Sequence, residues 1–260
     1  MKQLKEQAPD AQCTVVPWNI PRQLLVNRAK PPFDSPELRR AMVLALDRRA
    51  FSDILSDGQG EIGGAMSPRP AGSWRMPPEV LQTLPGYGPD AAKNRAEARE
   101  IMNKLGHGPD KPLAVTVTTR NAPAYRDAAV LLIGQLKEID IDGTLNAIDT
   151  TQWYPTVMRK DYTVGVTVSE NGLDDPDQQF YENFSCGAER NYTGYCSAEV
   201  DRSQHAFTAA PICSQQRASP SWLIGRAEDR TYCKIVVIQR LSALDLAARN
   251  IWTPRRNFAV

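Results

Sequence analysis

The sequence predicts an α/β lobe, and three observations carry that prediction. From Leu113 to Val168 the chain alternates strand-like and helix-like segments in the order strand, helix, strand, helix, strand. Two well-capped helical patterns precede that alternation. The apolar fraction of 42% is that of a globular chain, and 260 residues are enough to bury a sizeable core.

The elements follow in order. Residues 14–27 read as extended segments broken by Pro17 and Pro21. A helix then starts at Ser35, whose hydroxyl suits the N-cap. Pro36 fits the first helical position, and Glu37 fits the positive end of the helix dipole. Leu38, Met42, Ala45, Leu46, Phe51, Ile54 and Leu55 recur at helical spacing, with room for a break near Asp47 to Arg49. Residues 57–90 are rich in Gly and Pro and read as a long surface excursion. Asp90 caps the next helix and Gly106 stops it. Leu113–Thr119 is a strand and Tyr125–Ile139 a helix with Ala128, Leu131, Leu132 and Leu136 on one face. Ile141–Ala147 is a strand, Thr150–Arg159 a short helix, and Tyr162–Val168 a strand. Beyond Asp201 no clear period continues.

Charge divides the chain at the same place. The net charge is +1, which argues against nucleic-acid or membrane-surface binding by the whole chain. Residues 202–260 carry +6, however, and the residues before them −5. No apolar run reaches transmembrane length, and the opening MKQLKEQAPDAQ lacks the apolar stretch of a secretory signal. Five cysteines without CxxC spacing fit neither a zinc site nor a redox motif. The acidic group Asp174, Asp175 and Asp177 lacks the ligand order of a calcium loop, so no metal and no cofactor is expected. His107 and His205 are the only histidines, and neither GxSxG nor a phosphate loop is present, which leaves a catalytic reading without residues to carry it.

The most distinctive segment is LDDPDQQFYENFSCGAERNYTGYCSAEVD, from Leu173 to Asp201. Together with LVNRAKPPFDSPELRRAMVLALDRRAF, YGPDAAKNRAEAREIMNKLG and QWYPTVMRKDYTVGVTV, it resembles the extracytoplasmic solute-binding proteins of ABC importers, peptide/nickel/oligopeptide group (solute-binding family 5). The resemblance covers roughly residues 10–201. It implies a periplasmic-binding-protein-like (type II) fold, of which this chain holds mainly the second lobe, incomplete and followed by an irregular C-terminal tail. The expected layout is an extended lead-in over 1–30 from a missing first lobe, an α/β ligand-binding lobe over 31–201, and a tail over 202–260. A frameshift near Arg202 in a gene lacking its start, hence a truncated or pseudogene product, is one expected origin of that tail.

What the resemblance implies for function is capture of a peptide or small solute in the periplasm by lobe closure. Delivery to a membrane ABC permease follows, with no catalysis. Peptide-binding members place an Asp before the DDPD turn to meet the ligand's amino terminus. Aligned on Pro176, that position is Gly172, so Glu170 or Asp174 would have to replace it. Ser169, Glu170 and Asn171 are cleft candidates by position, and Arg159 and Lys160 fall near a basic position that faces ligand. Tyr154 and Trp153 offer aromatic walls, with Trp153 read as core. Cys186 and Cys196 are expected to form a local disulfide in an exported protein. With half a cleft, the chain alone is expected to bind little. The rival readings are a small interaction protein using the 57–90 loop and the basic tail, and an α/β hydrolytic enzyme.

Overall fold

The computed structural model describes residues 21–64, 77–168 and 176–202. Its elements in chain order are β1 (Arg22–Val26), α1 (Pro36–Ala45), α2 (Arg48–Ser56), α3 (Pro78–Leu81), α4 (Ala91–Lys104), β2 (Leu113–Arg120), α5 (Pro123–Lys137), β3 (Ile141–Ile148), α6 (Thr150–Met158), β4 (Val164–Val168) and α7 (Pro176–Phe184). The four strands form one sheet in the order β1-β4-β2-β3. β2 runs parallel to both β3 and β4, and β1 closes the edge antiparallel to β4, with Arg22 opposite Val168. β1 therefore lies within the stretch read as a lead-in and is a full member of the sheet.

Local chemistry sets the element ends. Ser35 Oγ accepts from the amide of Leu38 at 3.2 Å, with Pro36 in the first turn. Asp47 makes the break between α1 and α2 by capping Ala50 at 3.0 Å. That corner is held from across the core, because the buried Gln135 amide accepts from Asp47 N at 2.9 Å and donates to Asp47 O at 3.0 Å. Asp90 Oδ1 accepts from Lys93 N at 2.9 Å and so opens α4. Gly106, at φ 83, turns the chain out of the helix while His107 N reaches back to Met102 O at 3.0 Å. α5 begins two residues earlier than its apolar face indicates, because Pro123 takes the first helical position.

Two segments differ from their expected form. Part of the 57–90 excursion is anchored. Leu81 packs with Ile62, Val80, Leu84 and Tyr87, and the Arg48 guanidinium lies 3.8 Å over the Tyr87 ring while donating to Gly86 O. Gly86 is needed there, since a Cβ would fall 2.4 Å from Val43 O. The second difference is at the acidic turn, where Pro176 opens a nine-residue helix. A proline at a turn and a proline at the first position of a helix look alike in sequence, and the weak apolar period of DQQFYENF hid the helix.

The sheet has two unlike faces. On one, Leu24, Val26, Val115, Val117, Ile141, Val164 and Val166 meet Met42, Phe51, Met102, Leu132 and Leu136 from α1, α2, α4 and α5. On the other, Leu25 meets only Trp153, Val157 and Tyr162, with Ile148 and Tyr192 at the margin. Asp142, Thr144 and Asn146 of β3 are exposed, as are Ala114 and Thr116 of β2.

Candidate solute site at the carboxyl edge of the sheet

The three parallel strands end at one edge, in Arg120, Ile148 and Val168, and Arg22 enters β1 at the same edge. After β2 the chain turns to α5 on the large apolar face, and after β3 it turns to α6 on the other. Adjacent strands whose connections leave to opposite sides open a crevice at their carboxyl ends, where open α/β sheets bind ligands.

Arg120 occupies that crevice. Its guanidinium carbon lies 4.9 Å from the Tyr125 ring centroid, 4.7 Å from Tyr154 and 5.8 Å from Trp153. One Nη donates to the Tyr125 hydroxyl at 3.2 Å. Arg120 Nε and Trp153 Nε1 are both buried without a hydrogen-bond partner among the described residues. No carboxylate stands within ion-pair distance of Arg120 among those residues. The result is a fixed, half-buried cation flanked by π faces, with hydrogen-bonding capacity that the protein leaves unused. Such a group takes a carboxylate or a similar planar anion. Arg22 adds positive charge at the same edge. Burial lowers its pKa and Asp127 opposes that shift, but Arg22 stays protonated at neutral pH.

The residues expected from sequence distribute as follows. Tyr154 is 48% exposed beside Arg120, and Trp153 beneath it is fully buried. Arg159 is exposed past the far end of α6. Lys160, at φ 56, sits a further residue on and donates from Nζ to Asn191 O at 3.2 Å. Its own carbonyl accepts from the buried Asn27 side chain at 2.8 Å. Six residues of helix separate Lys160 from Tyr154, about 9 Å along the axis, so the structure does not bring these two candidates together. Ser169, Glu170, Asn171 and Asp174 lie outside the described residues, as do Cys13, Cys213, Cys233 and residues 203–260. Cys186 and Cys196 are joined, with sulfurs 2.08 Å apart. Among the described residues no three His, Cys, Asp or Glu side chains converge to hold a metal ion, and no helix is long and apolar enough to cross a membrane.

Sequence reasoning missed Arg120, Arg22, Tyr125 and Tyr192. For Arg120 a signal existed: an arginine at the last position of a Thr-rich strand, just before a helix opened by Pro123. Nothing local marks Tyr192, whose position depends on a loop folding back over α6.

The family profile of bacterial extracellular solute-binding proteins, family 5 Middle, matches residues 2–191. The chain belongs to this family. Among curated family proteins it is 24% identical over 246 residues to the probable ABC transporter periplasmic-binding protein SapA of Escherichia coli (strain K12), covering 92% of this chain and 41% of SapA. It is 25% identical over 130 residues to the periplasmic oligopeptide-binding protein OppA of the same organism, covering 50% of this chain and 23% of OppA. Among solved structures, Haemophilus influenzae OppA in complex with RPPGFSPFR superposes with a TM-score of 0.75 at 20% identity, over 93% of this chain and 47% of that one. The Escherichia coli murein tripeptide binding protein MppA gives 0.76 at 16% identity, over 93% and 47%. The chain thus spans about two fifths of SapA's length. The fold is the mixed α/β, open-sheet fold of type II periplasmic binding proteins, as the likeness to OppA and MppA shows. Family 5 proteins bind peptides or other small solutes and deliver them to ABC permeases, and they are not enzymes. The relatives are periplasmic proteins, so the family places its members outside the cytoplasm. The hydrolytic-enzyme reading is thereby set aside.

Proposed function

We propose that this chain supplies one side of a peptide-type solute site, and that Arg120 is the group that holds the solute's anionic end. The observation that carries the reading is the Arg120 crevice itself: a cation with unused donors at the carboxyl edge of an open α/β sheet, walled by Tyr125, Trp153 and Tyr154. Membership of a peptide-binding family makes a peptide carboxylate the fitting anion. Periplasmic delivery to a permease is the matching role, with Tyr154 as a wall of the cleft. Ser169, Glu170, Asn171 and Asp174 follow β4 directly in the chain and are proposed as further contacts at this edge. Arg159 and Lys160 stand at the opposite end of α6 and are proposed, at most, as outer contacts.

A titration of the isotope-labelled full chain with Ala-Ala tests this reading. The Arg120 Nε and Trp153 indole resonances should move with Ala-Ala and stay still with Ala-Ala-amide, which lacks the carboxylate. Equal effects from both, or none from either, would overturn the reading. The chain provides one lobe's share of contacts, so the affinity should be in the millimolar range, about −4 kcal/mol. Micromolar binding of trialanine by calorimetry would refute the expectation of a site with little affinity of its own.

The change from −5 to +6 at Arg202 supports a second reading, in which the frame shifts there and the product is a broken one. The SapA match spans 92% of this chain and so runs past Asp201, which weighs against it. Genomic DNA read in three frames decides: a family pattern resuming in another frame near Arg202 supports the shift, and one continuous frame removes it.

A further inference from the structure

Tyr192 belongs to no part of the site as described, yet the structure spends much on placing it. Its ring packs, half-buried, on the cluster of Leu25, Trp153, Val157 and Tyr162. Its carbonyl accepts from the Tyr162 hydroxyl at 2.8 Å. Burial raises its phenol pKa, and the neighbouring charges that act on it include Tyr154, Arg190, Arg120 and Glu189. The ring therefore stands within electrostatic reach of both Arg120 and Tyr154.

The loop carrying Tyr192 is built from polar contacts. Cys186 and Cys196 close it at the base. The buried Asn191 side chain fills it, donating to Ser185 O at 2.9 Å and to Tyr195 O, and accepting from Tyr195 N at 3.1 Å. Asp201 accepts from Cys186 N at 3.1 Å, and Lys160 ties the Asn191 carbonyl to the end of α6. Each contact fixes the backbone on one side of Tyr192 or the other. The loop borders the small face of the sheet and has no part in the large apolar core on the other face.

We propose that Tyr192 is a specificity-determining wall of the Arg120 site, set in place by the Cys186–Cys196 loop, and that loosening the loop reshapes the site while the lobe stays folded. The proposal rests on the reading of Arg120 as the anion-holding group. With Tyr154 on one side and Tyr192 on the other, the space beside a bound carboxylate suits a small side chain on the residue that bears it. Removing the Tyr192 ring opens that space.

The test uses the full chain as Tyr192→Ala, the milder Tyr192→Val and the double variant Cys186→Ser with Cys196→Ser, with Ala-Ala and Ala-Phe as probes. The affinity ratio of Ala-Phe to Ala-Ala should rise roughly tenfold in all three, as expected when a pocket wall is removed, with the far-UV spectrum retained. An unchanged ratio in either folded Tyr192 variant overturns the proposal. If neither dipeptide moves the Arg120 resonance in the parent chain, the Arg120 reading has failed, and the ligand-free chain then judges the wall. Loosening the loop should return the Tyr192 titration toward about 10, the ordinary tyrosine value, and shift the Trp153 indole resonance. If both stay fixed in the folded cysteine variant, the loop does not position Tyr192.

Discussion

The two faces of the sheet are held by different physics. The large face buries Val, Ile, Leu, Met and Phe side chains from β1, β2, β3 and β4 against four helices, and it needs few polar bonds to do so. The small face has one apolar cluster around Trp153, and beyond it order comes from a disulfide, an asparagine and two tyrosine contacts. Apolar burial is non-directional and tolerant, so the large face specifies a fold. Hydrogen bonds and covalent closure are directional, so the small face can hold a side chain at a chosen spot beside a ligand. The lesson is a division of labour, in which stability sits under α1, α4 and α5 and the candidate chemistry sits at the edge of the thinner side.

The strongest way to break that comparison is to cut the large core. Leu132→Ala removes a fully buried side chain between α5 and the sheet and should cost about 2–5 kcal/mol in urea unfolding. A loss well under that would mean the large face is not the main source of stability. Next is the double change Cys186→Ser with Cys196→Ser, which opens a short loop and should cost about 2–3 kcal/mol. Hydrogen exchange sharpens it: amides of residues 186–201 should lose protection while those of β2 and α5 keep theirs in proportion. Asn191→Ala should cost about 1–3 kcal/mol, because it strips partners from the Ser185 and Tyr195 carbonyls and from the Tyr195 amide. Its damage should also stay on the small face, read as a shift of the Tyr195 amide resonance with the α4 resonances unmoved.

The smallest effect concerns pH at the start of α6. The Asp149 carboxyl is held below its usual pKa by the hydrogen bond from the Thr151 hydroxyl and then by the Thr151 amide. A depressed carboxylate contributes stability that is present above its unfolded pKa and is lost as pH falls through the folded value. Asp149→Asn keeps an acceptor without the charge. The parent should therefore lose melting temperature relative to the Asn variant only below the ordinary carboxylate range, about pH 4. An identical pH dependence in the two would remove Asp149 as the cause.

Much of the fold was legible because its signals are local. Ser35, Asp47 and Asp90 sit at cap positions a few residues before an apolar period, and each caps the helix it announces. β2 and β3 carry β-branched residues bounded by turns. The helix after Pro176 was not legible, because its residues lack a clear apolar period. The docking of Leu81 and Tyr87 was not legible either, since it depends on Arg48, distant in sequence.

For the site, Tyr154 could be named from its place at the start of a short helix, whereas Arg120 was passed over as a strand end. What makes Arg120 a site is that α5 and α6 leave the sheet on opposite sides and so place Tyr125, Trp153 and Tyr154 around it. The sequence by itself determined the class of fold, the helix boundaries and the family, because capping, periodicity and motif order act over a few residues. Only the tertiary structure decided that Arg120, Tyr154 and Tyr192 share one edge while Lys160 stands at the other. Strand order and crossover side are set by long-range packing, and no local pattern encodes them.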